Sequence, residues 1–161
     1  MPPTRESDKM EPRTQRLNQA DRELARALFL LMAEVFEEPG EPLGDAYLDR
    51  LLSQPSFWAI AALDGDEIVG GITAHTLPMT RAESSEIFIY DIAVRPDHQR
   101  RGVGRQLMIA LRTAAAAAGI HDIFVPADED DTHALDFYRA LGGEESPVIF
   151  FTFANQDDHG P

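Results

Sequence analysis

The run Glu86-Ile87-Phe88-Ile89-Tyr90-Asp91-Ile92-Ala93-Val94 constrains this chain more than any other segment. It is apolar and aromatic along its length, with Asp91 as the single acid inside it. A strand covered on both faces loses the polar alternation of a half-exposed one, so this run predicts a buried central strand. Arg95 to Gly104 follows as a basic loop with glycines at 102 and 104. Val103 to Ala118 then carries Leu107, Leu111, Ala114 and Ala115 at helical spacing, with Gly119 as a stop. Strand, glycine loop and helix in that order demand a layered fold with helices against a sheet.

The remaining elements fit the same architecture. Gln15 to Leu17 is a short first strand, and Asn18 caps a helix with Leu24, Leu28, Leu31, Met32, Val35 and Phe36 on its apolar stripe. Glu37 to Gly44 is a loop punctuated by Pro and Gly. Asp45 caps a second helix carrying Tyr47, Leu48, Leu51 and Leu52. Phe57–Leu63 and Glu67–Leu77 are strands joined at Asp64-Gly65, a hairpin signal. Asp122–Val125 is another strand, Thr132–Leu141 a helix capped by Asp131 and ended by Gly142-Gly143, and Val148–Phe153 a final strand. The fold class is α+β (mixed α/β). Residues 1–13 predict a disordered lead-in, 14–154 one domain and 155–161 a polar tail.

Composition removes several functions. With no cysteine, disulfides, thiolate metal sites and cysteine nucleophiles are excluded, and a cytoplasmic location is expected. No apolar run reaches the roughly 18 residues a membrane span needs, so no membrane partner is expected. A net charge of −14 argues against nucleic acid, which needs positive charge to displace counterions, and permits a cationic ligand. His75, His98, His121 and His133 make no ligand spacing, so no metal is assigned, and His98 is expected on the loop surface.

Against that acidic background, Arg95, Arg100, Arg101 and Arg105 crowd one glycine loop. A helix start exposes unpaired N–H groups and partial positive charge, so this cluster points to a bound polyanion. A nucleotide P-loop is a poor fit, because no Gly-Lys-Ser/Thr follows. A dinucleotide fingerprint is also incomplete, with Leu107 where the third glycine belongs. An ordinary turn with solvated arginines and a metal-free pyrophosphate cradle remain.

Arg95 to Gly104 after Asp91 to Val94, together with Ala134-Leu135-Asp136-Phe137-Tyr138-Arg139-Ala140-Leu141-Gly142-Gly143, resembles the GNAT superfamily of N-acetyltransferases. The resemblance implies a mostly antiparallel mixed sheet, splayed in a V between the fourth and fifth strands, with helices on both faces. Pro126 at the end of the Asp122–Val125 strand is compatible with that splay. The implied cofactor is acetyl-CoA. Ile92, Ala93 and Val94 would pair with the pantetheine arm. Gln99, Arg100, Arg101, Gly102, Val103, Gly104 and Arg105 would hold the pyrophosphate, and Tyr138 would protonate the departing thiolate. Asp131 stands where many members have asparagine; ionised, it cannot donate to the cofactor.

Glu86 to Val94, Val125 to Asp131 and Leu77-Pro78 further resemble the type I aminoglycoside 3-N-acetyltransferases, which acetylate the 3-amino group of gentamicin-class antibiotics. That implies a polycationic acceptor held by carboxylates. Glu37, Glu38, Asp91, Asp128 and Glu129 are the candidates, and Asp91 is also the candidate base. Tyr90, alternating to the other strand face, is expected in the core or on the cofactor. The Phe-rich 148–153 run either pairs across a homodimer or finishes the core. Other readings are acetylation of a polyamine or peptide amine, or a CoA-binding domain without turnover.

Overall fold

The computed structural model describes residues 11–155. The expected lead-in and tail lie almost wholly outside them. The chain divides into two compact units, the first ending at Pro126 and the second starting at Ala127.

The first unit is a five-stranded sheet in chain order. Its strands are β1 (Arg13–Arg16), β2 (Phe57–Asp64), β3 (Glu67–Pro78), β4 (Ser85–Val94) and β5 (Asp122–Phe124). β1 through β4 pair antiparallel, while β4 and β5 are parallel. The first strand begins two residues earlier than Gln15. The β2–β3 turn is the expected hairpin, with Gly65 at φ +62° and Asp64 paired with Glu67.

Alternation along β2 explains how both sheet faces are covered. Phe57, Ala59, Ala61 and Leu63 join Leu28, Met32 and Leu48 in one apolar cluster. The last three belong to α1 (Arg22–Val35) and α2 (Asp45–Ser53). Trp58, Ile60 and Ala62 point the opposite way, where α3 (Val103–Ala117) packs on β2, β3 and β4 with Val103, Leu107, Leu111 and Ala115 buried. Gly71 is required on β3, because a Cβ there would collide with the Leu28 side chain.

Two helix starts differ from expectation. Asn18 does accept from Ala20 N–H at 2.8 Å, but it caps a single 3-10 turn, Gln19–Asp21, that precedes α1. The second helix is capped by Gly44, and Asp45 is its first residue. There Asp45 meets Arg22 and Arg26, so ion pairing across the helices takes the carboxylate that a capping role would have used.

The second unit contains α4 (Thr132–Ala140), capped by Asp131, which accepts from Ala134 N–H at 3.0 Å. Gly142 at φ +86° and Gly143 close it. The expected strand Val148–Phe153 does not form. Its backbone joins no ladder, and Val148, Ile149, Phe150, Phe151 and Phe153 are all exposed. High strand propensity does not make a strand without a partner edge.

Candidate active site

The β4–β5 ladder spans only Glu86–Asp122, Ile87–Ile123 and Phe88–Phe124. Beyond Phe88 no described strand pairs with β4 on that side, so the expected splay is present, and the Asp91–Val94 backbone has no strand neighbour there. Ile92 and Val94 are half-buried and Ala93 is buried.

A bulge alters the chemistry of this strand. Thr73 faces Asp91 and Ala74 faces Ile89, which leaves Tyr90 as an extra residue. Tyr90 is therefore not in the core; it is 63% exposed. Its ring lies edge-on to His75 and Phe88, 6.1 Å from each. By the β3 register, His75, Phe88 and Asp91 share the α1–α2 face of the sheet, so the bulge brings Tyr90 to the same face as Asp91. Strict alternation predicts the opposite face and fails by that one residue.

Asp91 is half-buried. Burial raises its pKa above the usual carboxylate range, and the negative charge of Glu38 adds to the rise. Glu38 reaches this neighbourhood from the end of α1. There Glu37 N–H donates to Glu34 O at 3.1 Å and Glu38 N–H to Ala33 O at 2.9 Å. This is a Schellman closure, which normally puts glycine in the left-handed position. α3 and α4 close in the same way with Gly119 at φ +77° and Gly142 at φ +86°. α1 instead uses Glu37 at φ +55°. Its last turn has no basic residue, so two exposed acids sit at the helix's negative end.

The start of α3 mirrors this arrangement. Arg100 has φ +61° and Gly102 φ +79°. Gly102 is the N-cap, no side chain caps the helix, and its first turn holds no acid. A Cβ on Gly102 would meet nothing within 4 Å. The first turn of α3 is thus open at Gly102, and Arg100, Arg101 and Arg105 on either side of it in the chain are all exposed. An uncapped helix start beside exposed arginines could hold a pyrophosphate.

Two loop residues differ from expectation, and a third, Gln99, has a bond within the turn. Arg95 is not free for a ligand; its guanidinium pairs with Glu67 and, at 3.2 Å, with Asp97. His98 is not a solvated surface ring; its side chain is 12% exposed and lies between Asp97 and Asp64. The Gln99 amide donates to Val94 O at 3.0 Å, so it braces the turn against the end of β4. None of the three roles was visible in the sequence, because each depends on a partner brought close by the β2–β3 hairpin or by β4 itself.

In the second unit, Asp128, Glu129 and Asp131 are exposed ahead of α4, and Tyr138 is half-buried on it. Asp131 acts as a helix cap.

Residues 17–142 match the acetyltransferase (GNAT) family, and the chain belongs to it. Enzymes of this family use acetyl-CoA. An aminoglycoside acetyltransferase from an uncultured soil metagenomic sample is 35% identical, with a TM-score of 0.85, covering 91% of this chain and all of that one. A second aminoglycoside acetyltransferase of soil origin, solved with sisomicin, is 32% identical at a TM-score of 0.86, covering 90% of this chain and 97% of the other. Among curated relatives, the [ribosomal protein bS18]-alanine N-acetyltransferase of Salmonella typhimurium is 30% identical over 70 residues. That match covers 44% of this chain and 47% of the relative, so the chain spans about half the length of these curated relatives.

Proposed function

We propose that this chain transfers the acetyl group of acetyl-CoA to an amino group of an aminoglycoside, with the 3-amino group of gentamicin-class drugs as the site and drug resistance as the result. One observation carries the reading: among the described residues, the two left-handed non-glycine residues, Glu37 and Arg100, both lie at helix ends whose charge they share in sign. Acids gathered at a negative helix end favour a polycation. Arginines gathered at a positive one favour a polyanion. The soil enzymes, one of them solved with sisomicin, supply the substrate class.

Acetyl-CoA supplies an activated thioester. The N–H groups from Arg100 to Gly104, with Arg105, would hold its pyrophosphate, and the edge of β4 at Ile92 to Val94 that no described strand covers its pantetheine arm. A β4 N–H near Ile92 would polarise the acetyl carbonyl. Glu37, Glu38, Asp128 and Glu129 would pair with ammonium groups of the drug. Asp91, whose raised pKa brings it nearer neutral pH, would take the proton from the attacking amine. Tyr138 Oη would give a proton on the sulfur side. With no cysteine in the chain, transfer is direct, within a ternary complex.

Thiol release from acetyl-CoA should be measured with gentamicin, sisomicin, spermidine and an alanine-terminated peptide. Fast release with the drugs alone supports the reading, and NMR of the product then reports whether the 3-amino group carries the acetyl. Release with the peptide alone would transfer the chain to the reading favoured by its bS18-alanine relatives.

A further inference from the structure

A closed circuit of alternating charge joins the 95–98 turn to the β2–β3 hairpin. Glu67 pairs with Arg95, and Arg95 Nη2 lies 3.2 Å from Asp97 Oδ2. Asp97 Oδ1 lies 2.9 Å from His98 Nδ1, and His98 Nε2 lies 3.1 Å from Asp64 Oδ2. Asp64 and Glu67 are themselves cross-strand partners at the hairpin tip. Two like charges directly opposite each other repel, and Arg95 and His98 neutralise them from the turn. The hairpin therefore grips the turn at both ends, and Arg100 and Arg101 follow after one residue, Gln99.

His98 differs from Arg95 in being titratable. A neutral imidazole donates from one nitrogen, whereas this ring has a carboxylate at each. Only the imidazolium can donate to both. We propose that His98 is a positioning residue for the pyrophosphate seat, acting as the imidazolium, so that the grip on a pyrophosphate-bearing ligand weakens when the ring loses its proton. The proposal rests on the acetyl-CoA reading of residues 100–105. Asp97 first, then Asp64, raise the His98 pKa, while burial and then Arg101 oppose them; Arg95 and Glu67 complete the charged surroundings. Because the folded pKa is raised, the clamp is complete below the ring's unfolded value and is lost as pH rises through the folded one.

Calorimetry with dephospho-CoA tests this, since that probe keeps the pyrophosphate but lacks the 3′-phosphate, whose own titration lies in the same range. From about pH 6 to about pH 9, the wild-type dissociation constant should rise about 3- to 10-fold, the size expected for one partly screened charge-assisted contact. NMR of the His98 ring should place the midpoint of that rise at its titration. His98→Gln should bind weakly at every pH with a flat profile, and Asp64→Asn should show a reduced step. Acetyl-pantetheine, which has no pyrophosphate, should show neither effect. Thermal melts establish that both variants fold; if His98→Gln does not, Asp64→Asn and the ring titration decide. A His98→Gln protein that binds dephospho-CoA as wild type does across the range overturns the clamp, as does an equal loss with acetyl-pantetheine. Wild type that binds no dephospho-CoA at any pH overturns the cofactor reading, and the clamp with it.

Discussion

The end of α1 and the start of α3 are mirror images in charge. Glu37 and Glu38 extend the negative end of one helix, and Arg100, Arg101 and Arg105 crowd the positive end of the other. Each places a charged residue, Glu37 or Arg100, in a left-handed conformation. Both choices oppose the isolated fold, since like charge at a helix end and a side chain at positive φ are each unfavourable. The two regions differ in support. The arginine turn is fastened to a hairpin through Arg95 and His98, while the glutamate pair, among the described residues, is held by backbone hydrogen bonds. On the proposed reading, a braced seat suits a constant cofactor, and a lightly held acidic edge suits acceptors of varied shape.

The largest effects should come from residues that belong to neither end. Tyr138→Phe should lower kcat about 100- to 10,000-fold, as for removal of a general acid, with the dissociation constant for CoA unchanged by calorimetry. Unchanged turnover would remove Tyr138 from the mechanism. Asp91→Asn should cost about 100-fold in kcat. Wild-type kcat/KM should rise with pH through the raised Asp91 pKa, because the carboxylate is the active form. Glu38→Gln should move that limb to lower pH, and in Asp91→Asn the limb should vanish.

Reversing one charge and removing the other tests the mirror directly. Arg101→Glu should raise KM for acetyl-CoA about 10- to 30-fold and leave the acceptor KM nearly as it was, while Glu38→Gln should do the reverse by a smaller factor. If either variant disturbs the other ligand equally, the division of charge fails. The smallest effect is the most diagnostic. Glu37→Gly should raise stability by about 1 kcal/mol in denaturant titration, because glycine accepts the left-handed position. It should also weaken the drug's KM a few-fold. A loss of stability would show that Glu37 belongs to the fold and not to the site.

Much of this arrangement is legible in the sequence, for identifiable reasons. The strand Glu86–Val94 and the helix after it follow from apolar patterning, and Gly119 and Gly142 mark helix ends because glycine takes positive φ without a Cβ penalty. Arg100 to Gly104 stands out because positive charge is scarce. The bulge at Tyr90 is silent, since no Gly or Pro marks it and it arises from pairing with β3. Glu37 is silent for the converse reason: a closure that usually carries glycine carries an acid here. The His98 clamp depends on Asp64, 34 residues away, which no local pattern connects to it. Val148–Phe153 is the opposite error, where strand-like composition has no edge to pair with in the described fold.

The shortness of the β4–β5 pairing carries one more consequence, in folding. β1 to β4 form a meander of successive neighbours, each closed over a modest loop except the first, whereas β5 joins only after α3 has intervened and gains three residue pairs. Pairing of that kind comes late and opens early. Amides of β5 should therefore exchange with solvent through local opening at a fraction of the global free energy, while those shared by β2 and β3 wait for complete unfolding. A ligand laid along the free edge of β4 would border both the late-forming margin and the early core.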